Sequence, residues 1–167
     1  MRRRALLSAA LGVTVCSAGC LGSIRGSNRQ KAQLGWFGVH NVDPESSHTF
    51  TLIVERGGNV VHESSHEVDA AEYHDPGVAS DGAVAECTWG ATAGDYSVRV
   101  RRDGEEETEE SISVFAAERG AKCVVAAAKY ENYDATSDFV DGKRLTISLL
   151  EACNDDGYVR RCSFTQK

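Results

Sequence analysis

From Leu34 onward, apolar and polar residues alternate with a period of two rather than with the 3.6-residue period of a helix. The stretch His48–Glu55 shows this clearly, because Phe50, Leu52 and Val54 fall on one face and the residues between them on the other. Successive side chains of a strand point to opposite faces of its sheet. The alternation therefore predicts a half-buried β-strand.

Similar stretches recur along the chain, separated by hairpin turn signals such as Gly57-Gly58 and Asp103-Gly104. The predicted strands are Leu34–Asn41, His48–Glu55, Asn59–Val68, Val84–Trp89, Tyr96–Arg101, a return strand containing Ile112 and Val114, Lys122–Tyr130, Arg144–Glu151 and Tyr158–Phe164. No segment shows convincing helical periodicity. Eight or nine short strands with regular turns predict one all-β domain over residues 34–167, an antiparallel sandwich or barrel.

The first twenty residues have the three-part order of an export signal. Arg2–Arg4 is positively charged, Ala5–Val15 is apolar, and the small residues Ser17–Gly19 directly precede Cys20. This order predicts a lipoprotein signal peptide over residues 1–19. We expect the Cys20 thiol to carry a diacylglycerol, which would hold the chain on the outer face of the cell membrane.

The export route and the fate of the leader stay open. Arg3–Leu7 also fits a twin-arginine pattern, which would imply export of a folded protein. The alternative to cleavage is an uncleaved anchor over Ala5–Ile24, although serines and glycines dilute its apolar character. In either case residues 34–167 face outward, and residues 20–33 form a flexible polar linker.

The chain is acidic, with 25 acidic and 18 basic side chains and a net charge of −7. Removal of residues 1–19 takes away three arginines and no acid, so the mature net charge is about −10. Such a surface repels nucleic acid and anionic lipid, so neither is an expected partner. A low lysine content suits concentrated salt, and an ordinary acidic extracellular domain accounts for it equally well.

The predicted domain contains four cysteines: Cys87, Cys123, Cys153 and Cys162. An even number in an exported domain favours two disulfides. If Lys122–Tyr130 and Arg144–Glu151 form a hairpin, its midpoint near residue 137 or 138 brings Cys123 close to Cys153. Cys87 is then left for Cys162. The chief alternative is Cys87–Cys123 with Cys153–Cys162.

Three stretches of the chain resemble the small immunoglobulin-like lipoproteins of salt-loving archaea. They are the leader, His48–Val61 and Ala93–Val100, the last of which has the pattern Gly-x-Tyr-x-Val-x-Val. The resemblance implies an immunoglobulin-like β-sandwich on a lipid tether, with Tyr96 near the start of a late strand. It implies no activity, since most such proteins have none assigned. The chain departs from these proteins in its four domain cysteines and its long Glu131–Lys143 loop.

The run His62-Glu63-Ser64-Ser65-His66 matches the H-E-x-x-H pattern of zinc proteases. That chemistry needs a helix, because helical spacing brings both imidazoles to one metal ion. Here Gly57-Gly58 and Val60-Val61 precede the run, and strand alternation continues through it. A strand separates positions 62 and 66 by about 13 Å, too far for one ion. We therefore expect two exposed strand histidines, and keep His62 and His66 as weak metal candidates.

Four other patterns bear on possible chemistry. Blue copper is excluded because Met1 is the only methionine and no histidine follows His74. The acidic run Glu105–Glu110 favours a solvated hairpin tip over a cation site. Trp36 and Phe37 favour packing over a ligand platform. A serine nucleophile is not marked either, since the chain lacks a G-x-S-x-G elbow.

The sequence favours a membrane-anchored, outward-facing, non-enzymatic binding or accessory module without a cofactor. The loops Ala70–Ala83 and Glu131–Lys143 are the candidate recognition sites, because they are long and carry Tyr73, Tyr133 and Phe139 among polar residues. A protein on the cell surface is one possible partner class. The alternatives are a small zinc hydrolase centred on the H-E-x-x-H run and a purely structural spacer of the cell envelope.

Overall fold

The computed structural model describes residues 29–74, 77–104, 106–136, 142–151 and Cys162. Within these residues the chain is mostly β-structure. The strands are β1 (Gln33–Asn41), β2 (His48–Arg56), β3 (Asn59–Val68), β4 (Glu72–His74), β5 (Gly77–Ala79), β6 (Asp81–Val84), β7 (Tyr96–Arg102), β8 (Glu106–Ser111), β9 (Cys123–Asn132) and β10 (Lys143–Leu150). The helices are α1 (Ile112–Arg119) and the single turn α2 (Tyr133–Thr136). No helix among the described residues combines the length and apolar character needed to cross a bilayer.

Two four-stranded sheets pack face to face, which confirms the predicted β-sandwich. One sheet has the order β10-β9-β1-β6 and the other the order β3-β2-β7-β8, while β4 and β5 form a separate small hairpin. The alternation that predicted the strands also explains the core, because every second residue of β2, β7 and β9 points inward and fills it. The largest fully buried side chains are Leu34, Phe37, Val39, Phe50, Leu52, Val54, Val68, Tyr96, Val98, Val100, Ile112 and Tyr130.

The connectivity is immunoglobulin-like. The sheet order β3-β2-β7-β8 matches the C′-C-F-G sheet of a variable-type domain, and the antiparallel pair β1–β6 matches its strands B and E. The C-terminal strands β9 and β10 lie on the other side of β1. There β9 pairs with β1 in parallel, so the sandwich is not antiparallel throughout as the sequence led us to expect.

Tyr96 forms the tyrosine corner that marks immunoglobulin-like sandwiches. It is the first residue of β7, it is buried, and its hydroxyl donates to the Thr92 carbonyl at 2.9 Å. The predicted position of this tyrosine near the start of a late strand is therefore confirmed. Gly94 lets the backbone before Tyr96 pass close to the Arg56 side chain, because a Cβ at position 94 would lie only 2.8 Å from Arg56 Cδ.

The return strand expected at Ile112 and Val114 is wrong, because this segment is helix α1. The Ser111 hydroxyl caps the helix by accepting from the Val114 amide at 3.3 Å. Gly120 ends it in the left-handed conformation, with φ 71°. The helix begins directly after β8, which ends at Ser111. Ile112 and Ala116 bury its apolar side.

Two element boundaries also differ from the prediction. The short strand expected over Val84–Trp89 is displaced to β6 at Asp81–Val84, and the chain turns after it. The domain begins before Leu34, since Ala32 is fully buried and bridges Gly94. The strand expected over residues 158–164 lies outside the described residues, apart from Cys162.

The structure contains the predicted Cys87–Cys162 disulfide. This excludes the alternative that paired Cys87 with Cys123. Cys123 is itself disulfide-bonded, and Cys153 lies outside the described residues, so the Cys123–Cys153 pairing stays a prediction. The β9–β10 register supports it, because Asn132 pairs with Lys143 and Val125 with Leu150, as in the predicted hairpin.

Replacing Tyr96 by phenylalanine tests the corner. The variant loses the hydrogen bond to the Thr92 carbonyl, and we expect it to lower the free energy of unfolding by about 1 kcal/mol. Urea denaturation measures the change. Tyr133→Phe is the matched control, since the Tyr133 hydroxyl bonds a partly exposed carboxylate. Equal stability of the two variants would contradict the role of the corner.

Candidate functional site

Two polar features at opposite sides of the sandwich are candidate sites, and a third polar cluster holds one end together. We call them the histidine row (His62, Ser64 and His66), the β10 groove and the aspartate clamp (Asp43, His48 and Asp103). The histidine row lies on β3, which is an edge strand of its sheet. The β10 groove lies along the edge strand β10 of the other sheet.

The histidine row occupies inward-facing positions of β3. His62, Ser64 and His66 pair across the sheet with Val54, Leu52 and Phe50, which are all fully buried core residues. Cross-strand partners point to the same face of a sheet. The row therefore lies on the face that packs against the other sheet, where the alternating pattern normally places apolar side chains.

A hydroxyl joins the two imidazoles of the row. Ser64 Oγ lies 2.8 Å from His62 Nε2 and 2.8 Å from His66 Nε2. The other ring nitrogen of His62, Nδ1, lies 2.9 Å from Thr88 Oγ1. The edge of the Trp89 ring system packs against the His62 ring, with centroids 5.6 Å apart.

Thr88 sets the direction of these hydrogen bonds. Its hydroxyl donates to the Val61 carbonyl at 3.3 Å, so it can only accept from His62 Nδ1–H. A neutral His62 protonated on Nδ1 leaves Nε2 bare, and Nε2 then accepts from the Ser64 hydroxyl. Ser64 Oγ in turn accepts from His66 Nε2–H.

His62 favours its neutral form. Burial lowers the pKa of His62, and although Glu86 raises it, the charge of His66 lowers it further and the net shift is downward. The His62 residue is 8% exposed, whereas Ser64 and His66 are only half-buried. The row thus combines a sheltered neutral imidazole with a hydroxyl that solvent can reach.

The H-E-x-x-H run lacks the geometry of a zinc protease. It lies on a strand, as predicted, and Glu63 is exposed on the face opposite to the histidines. The expectation that both histidines are exposed and far apart is wrong, because both side chains lean toward the shared hydroxyl. Among the residues that the structure describes, no group of three or more His, Cys, Asp or Glu could hold a metal ion.

The β10 groove has a volume of about 610 Å³. It is lined by polar side chains and a short apolar strip: Thr108, Glu110, Lys129, Glu131, Tyr133, Arg144, Leu145, Thr146, Ile147 and Ser148. Glu131 and Tyr133 belong to the segment that the sequence proposed as a recognition loop. That segment is not a simple loop, because it contains the end of β9 and the turn α2.

Hydrogen bonds join three polar side chains of the groove, Lys129, Glu131 and Tyr133. Glu131 lies 2.7 Å from Lys129 Nζ and accepts from the Tyr133 hydroxyl at 2.7 Å. Burial raises the pKa of Glu131, but the bonds from Lys129 and Tyr133 outweigh it and hold that pKa below its ordinary value. The same bond to Glu131 raises the pKa of Tyr133. The groove therefore presents an ordered ion pair beside an aromatic ring.

A second, smaller hollow of about 300 Å³ lies at the other predicted recognition loop. Its lining consists of Asp69, Ala70, Glu72, Ala79, Ser80 and Asp81. This segment contains the hairpin β4–β5 and the start of β6 rather than an irregular loop. Three of these six residues are acidic and none is basic, so the hollow repels anionic ligands.

The aspartate clamp links three segments at one end of the sandwich. His48 Nδ1 lies 2.8 Å from Asp103, and His48 Nε2 lies 3.0 Å from the buried Asp43. Burial raises the pKa of Asp43, but hydrogen bonds from His48, the Glu45 amide and Asn132 outweigh it and hold the pKa below its ordinary value. The pKa of Asp103 is lowered in the same way by the Thr49 amide and His48.

The structure decides several other predictions. Trp36 and Phe37 are buried in the core, so they form no ligand platform. The acidic run is not a hairpin tip, because it forms most of β8, where Glu106 and Glu107 pair with Arg102 and Arg99. Cys20 lies outside the described residues.

Sequence reasoning missed the clamp and Thr88, since nothing in the chain marks residues so distant as neighbours.

Comparison with known proteins adds no identification, because neither a protein-family model nor a curated protein sequence matches this chain.

The clamp makes stability depend on acid pH. The ordinary pKa of Asp43 is 3.8, and folding lowers it. The stability that the ionised Asp43 carboxylate adds to the folded state is therefore complete above pH 3.8 and is lost as the pH falls through the lower folded-state pKa. We expect Asp43→Asn to reduce the free energy of unfolding by about 2 kcal/mol at pH 7. The reduction should shrink toward pH 3.

Urea denaturation between pH 3 and pH 7 measures this effect. Glu63→Gln, which changes an exposed carboxylate on β3, should leave the pH dependence as in the original chain. If the free energies of unfolding of Asp43→Asn and the original chain differed by the same amount at every pH, the electrostatic role of the clamp would be refuted.

Proposed function

We propose that the chain is an exported, lipid-tethered binding domain whose ligand occupies the β10 groove. The tether would be a diacylglycerol on Cys20, which follows a positively charged and then apolar leader. The proposed role of the groove is recognition, and it needs no cofactor. The groove is the observation that carries this proposal, because Lys129, Glu131 and Tyr133 hold one another in place within it.

The disulfide chemistry supports the exported location. Cys87 is bonded to Cys162, and Cys123 is also disulfide-bonded. Disulfides persist in oxidising compartments such as the cell surface and are rare in the cytosol. The Cys87–Cys162 bond also ties the C-terminal segment to the turn after β6 across 75 residues of sequence. It restricts the unfolded chain and so stabilises the domain outside the cell.

The lining of the groove favours a saccharide of the cell surface as the ligand. Hydroxyls come from Thr108, Thr146 and Ser148, and the Tyr133 ring stands beside them. Its two cations, Lys129 and Arg144, are balanced by the carboxylates Glu110 and Glu131. A pocket with several placed polar groups and one aromatic ring suits a ligand rich in hydroxyls.

The tether predicts where the protein is found. Cys20→Ser removes the thiol that we expect to carry the lipid, so the protein should move from the membrane fraction to the medium. Cell fractionation with immunodetection measures this shift. Cys16→Ser, which changes the leader without touching the attachment site, should leave the protein in the membrane. Membrane retention of Cys20→Ser would argue for an uncleaved anchor.

The lining of the groove predicts that ligand binding requires the Arg144 side chain. Arg144→Ala should weaken binding of purified envelope polysaccharide from the producing cells about tenfold, which corresponds to roughly 1.4 kcal/mol. Arg119→Ala is the matched control, because Arg119 is an exposed arginine at the end of α1, outside the groove lining. Titration calorimetry with both variants measures the change.

Three outcomes would contradict the saccharide assignment. Equal binding by Arg144→Ala and Arg119→Ala would move the site away from the groove. Binding of a surface protein with no binding of polysaccharide would change the ligand class. No stable partner of either kind would favour the structural spacer instead.

A further inference from the structure

We propose that Ser64 is a nucleophile activated by His62, which gives the domain acyl-transfer activity toward carboxylic esters. This inference is independent of the tether and of the β10 groove, since the histidine row lies at the opposite edge of the sandwich. It rests on the directed chain of hydrogen bonds that runs from His66 through Ser64 and His62 to Thr88.

The chain of hydrogen bonds supplies the three parts of an activated serine. Ser64 Oγ is 2.8 Å from His62 Nε2, within the reach required of a nucleophile and its base. Thr88 Oγ1, 2.9 Å from His62 Nδ1, holds the proton on the far nitrogen. The bare Nε2 is therefore the nitrogen that faces the hydroxyl, as proton removal requires.

His66 supplies the electrostatic part. Its Nε2 is 2.8 Å from Ser64 Oγ and, by the direction of the chain, donates to that oxygen. Once Ser64 Oγ forms a new bond, the same N–H is adjacent to the oxyanion that develops on the acyl carbon. Histidine side chains serve as donors to such oxyanions in other acyl-transfer sites.

Polar residues at these positions have no packing advantage. The neighbouring inward positions of β2 hold Phe50, Leu52 and Val54, and the pattern of the strand calls for apolar residues beside them. Placing two imidazoles and a hydroxyl there costs apolar burial along the edge. Departures from the local pattern of this kind are typical of functional sites.

The surroundings suit a small substrate. Trp89 is buried against the His62 ring and gives the base an apolar wall. Ser64 and His66 are half-buried at the open edge, so an ester can approach the hydroxyl from solvent.

The reaction proceeds in two balanced steps. In the first, Ser64 Oγ bonds to the carbonyl carbon and its proton passes to His62 Nε2. The carbon–oxygen bond to the alcohol then breaks, and the leaving alkoxide takes that proton. In the second, water attacks the acyl carbon and gives a proton to His62 Nε2, which returns it to Ser64 Oγ as the carboxylic acid leaves.

A fluorophosphonate probe tests the nucleophile in the full-length chain. Ser64 Oγ would bond to phosphorus as the P–F bond breaks and fluoride leaves, and mass spectrometry of the digested protein would locate the adduct. We expect modification at Ser64, none in Ser64→Ala, and unchanged modification in Ser65→Ala, which alters the adjacent serine on the opposite face. His62→Gln should slow the modification at least 100-fold.

Variants of Thr88 distinguish a role in activating Ser64 from a role in folding alone. Thr88→Ala should slow modification about tenfold or more, and Thr88→Ser, which keeps the hydroxyl, should restore it. Release of one equivalent of 4-nitrophenol in a burst from 4-nitrophenyl acetate would support the same acyl-serine. Circular dichroism shows whether each variant is folded. Modification of Ser64 no faster than of Ser65, or an equal rate in Thr88→Ala and Thr88→Ser, would overturn the proposal.

Discussion

The structure depends on contact between the apolar inner faces of two four-stranded sheets. Phe37, Phe50, Leu52, Val98 and Val100 are each fully buried between them. Burial of apolar area is the main favourable term in folding, and here it requires both sheets to be complete. The pairing of β9 with β1 completes one sheet with strands that come late in the chain, so the core forms only when the whole domain is assembled.

This core also determines where chemistry is possible. Apolar side chains fill the middle of the sandwich, and the three polar clusters lie at its margins. The histidine row lines one edge, the β10 groove the other, and the aspartate clamp one end. Both edges are built on strands, whose backbone holds Ser64 and Arg144 more rigidly than a free loop would.

The clamp and the row each hold an imidazole ring between two hydrogen-bond partners, but the partners differ. In the clamp, carboxylates flank His48 on both ring nitrogens, and the arrangement ties the start of β2 to the segment before it and to the distant turn between β7 and β8. In the row, hydroxyls flank His62 on both ring nitrogens, Thr88 at Nδ1 and Ser64 at Nε2. These partners carry no charge, and burial favours the neutral ring of His62.

The sequence by itself determined most of the long strands, the two hairpin turns at Gly57-Gly58 and Asp103-Gly104, the sandwich and the position of Tyr96. These follow from alternation and turn chemistry, which act between neighbouring residues. It did not determine helix α1, the parallel β1–β9 pair, or the approach of Thr88 to His62. These depend on which segments meet in space, and that choice is made by burial of the common core rather than by any local pattern.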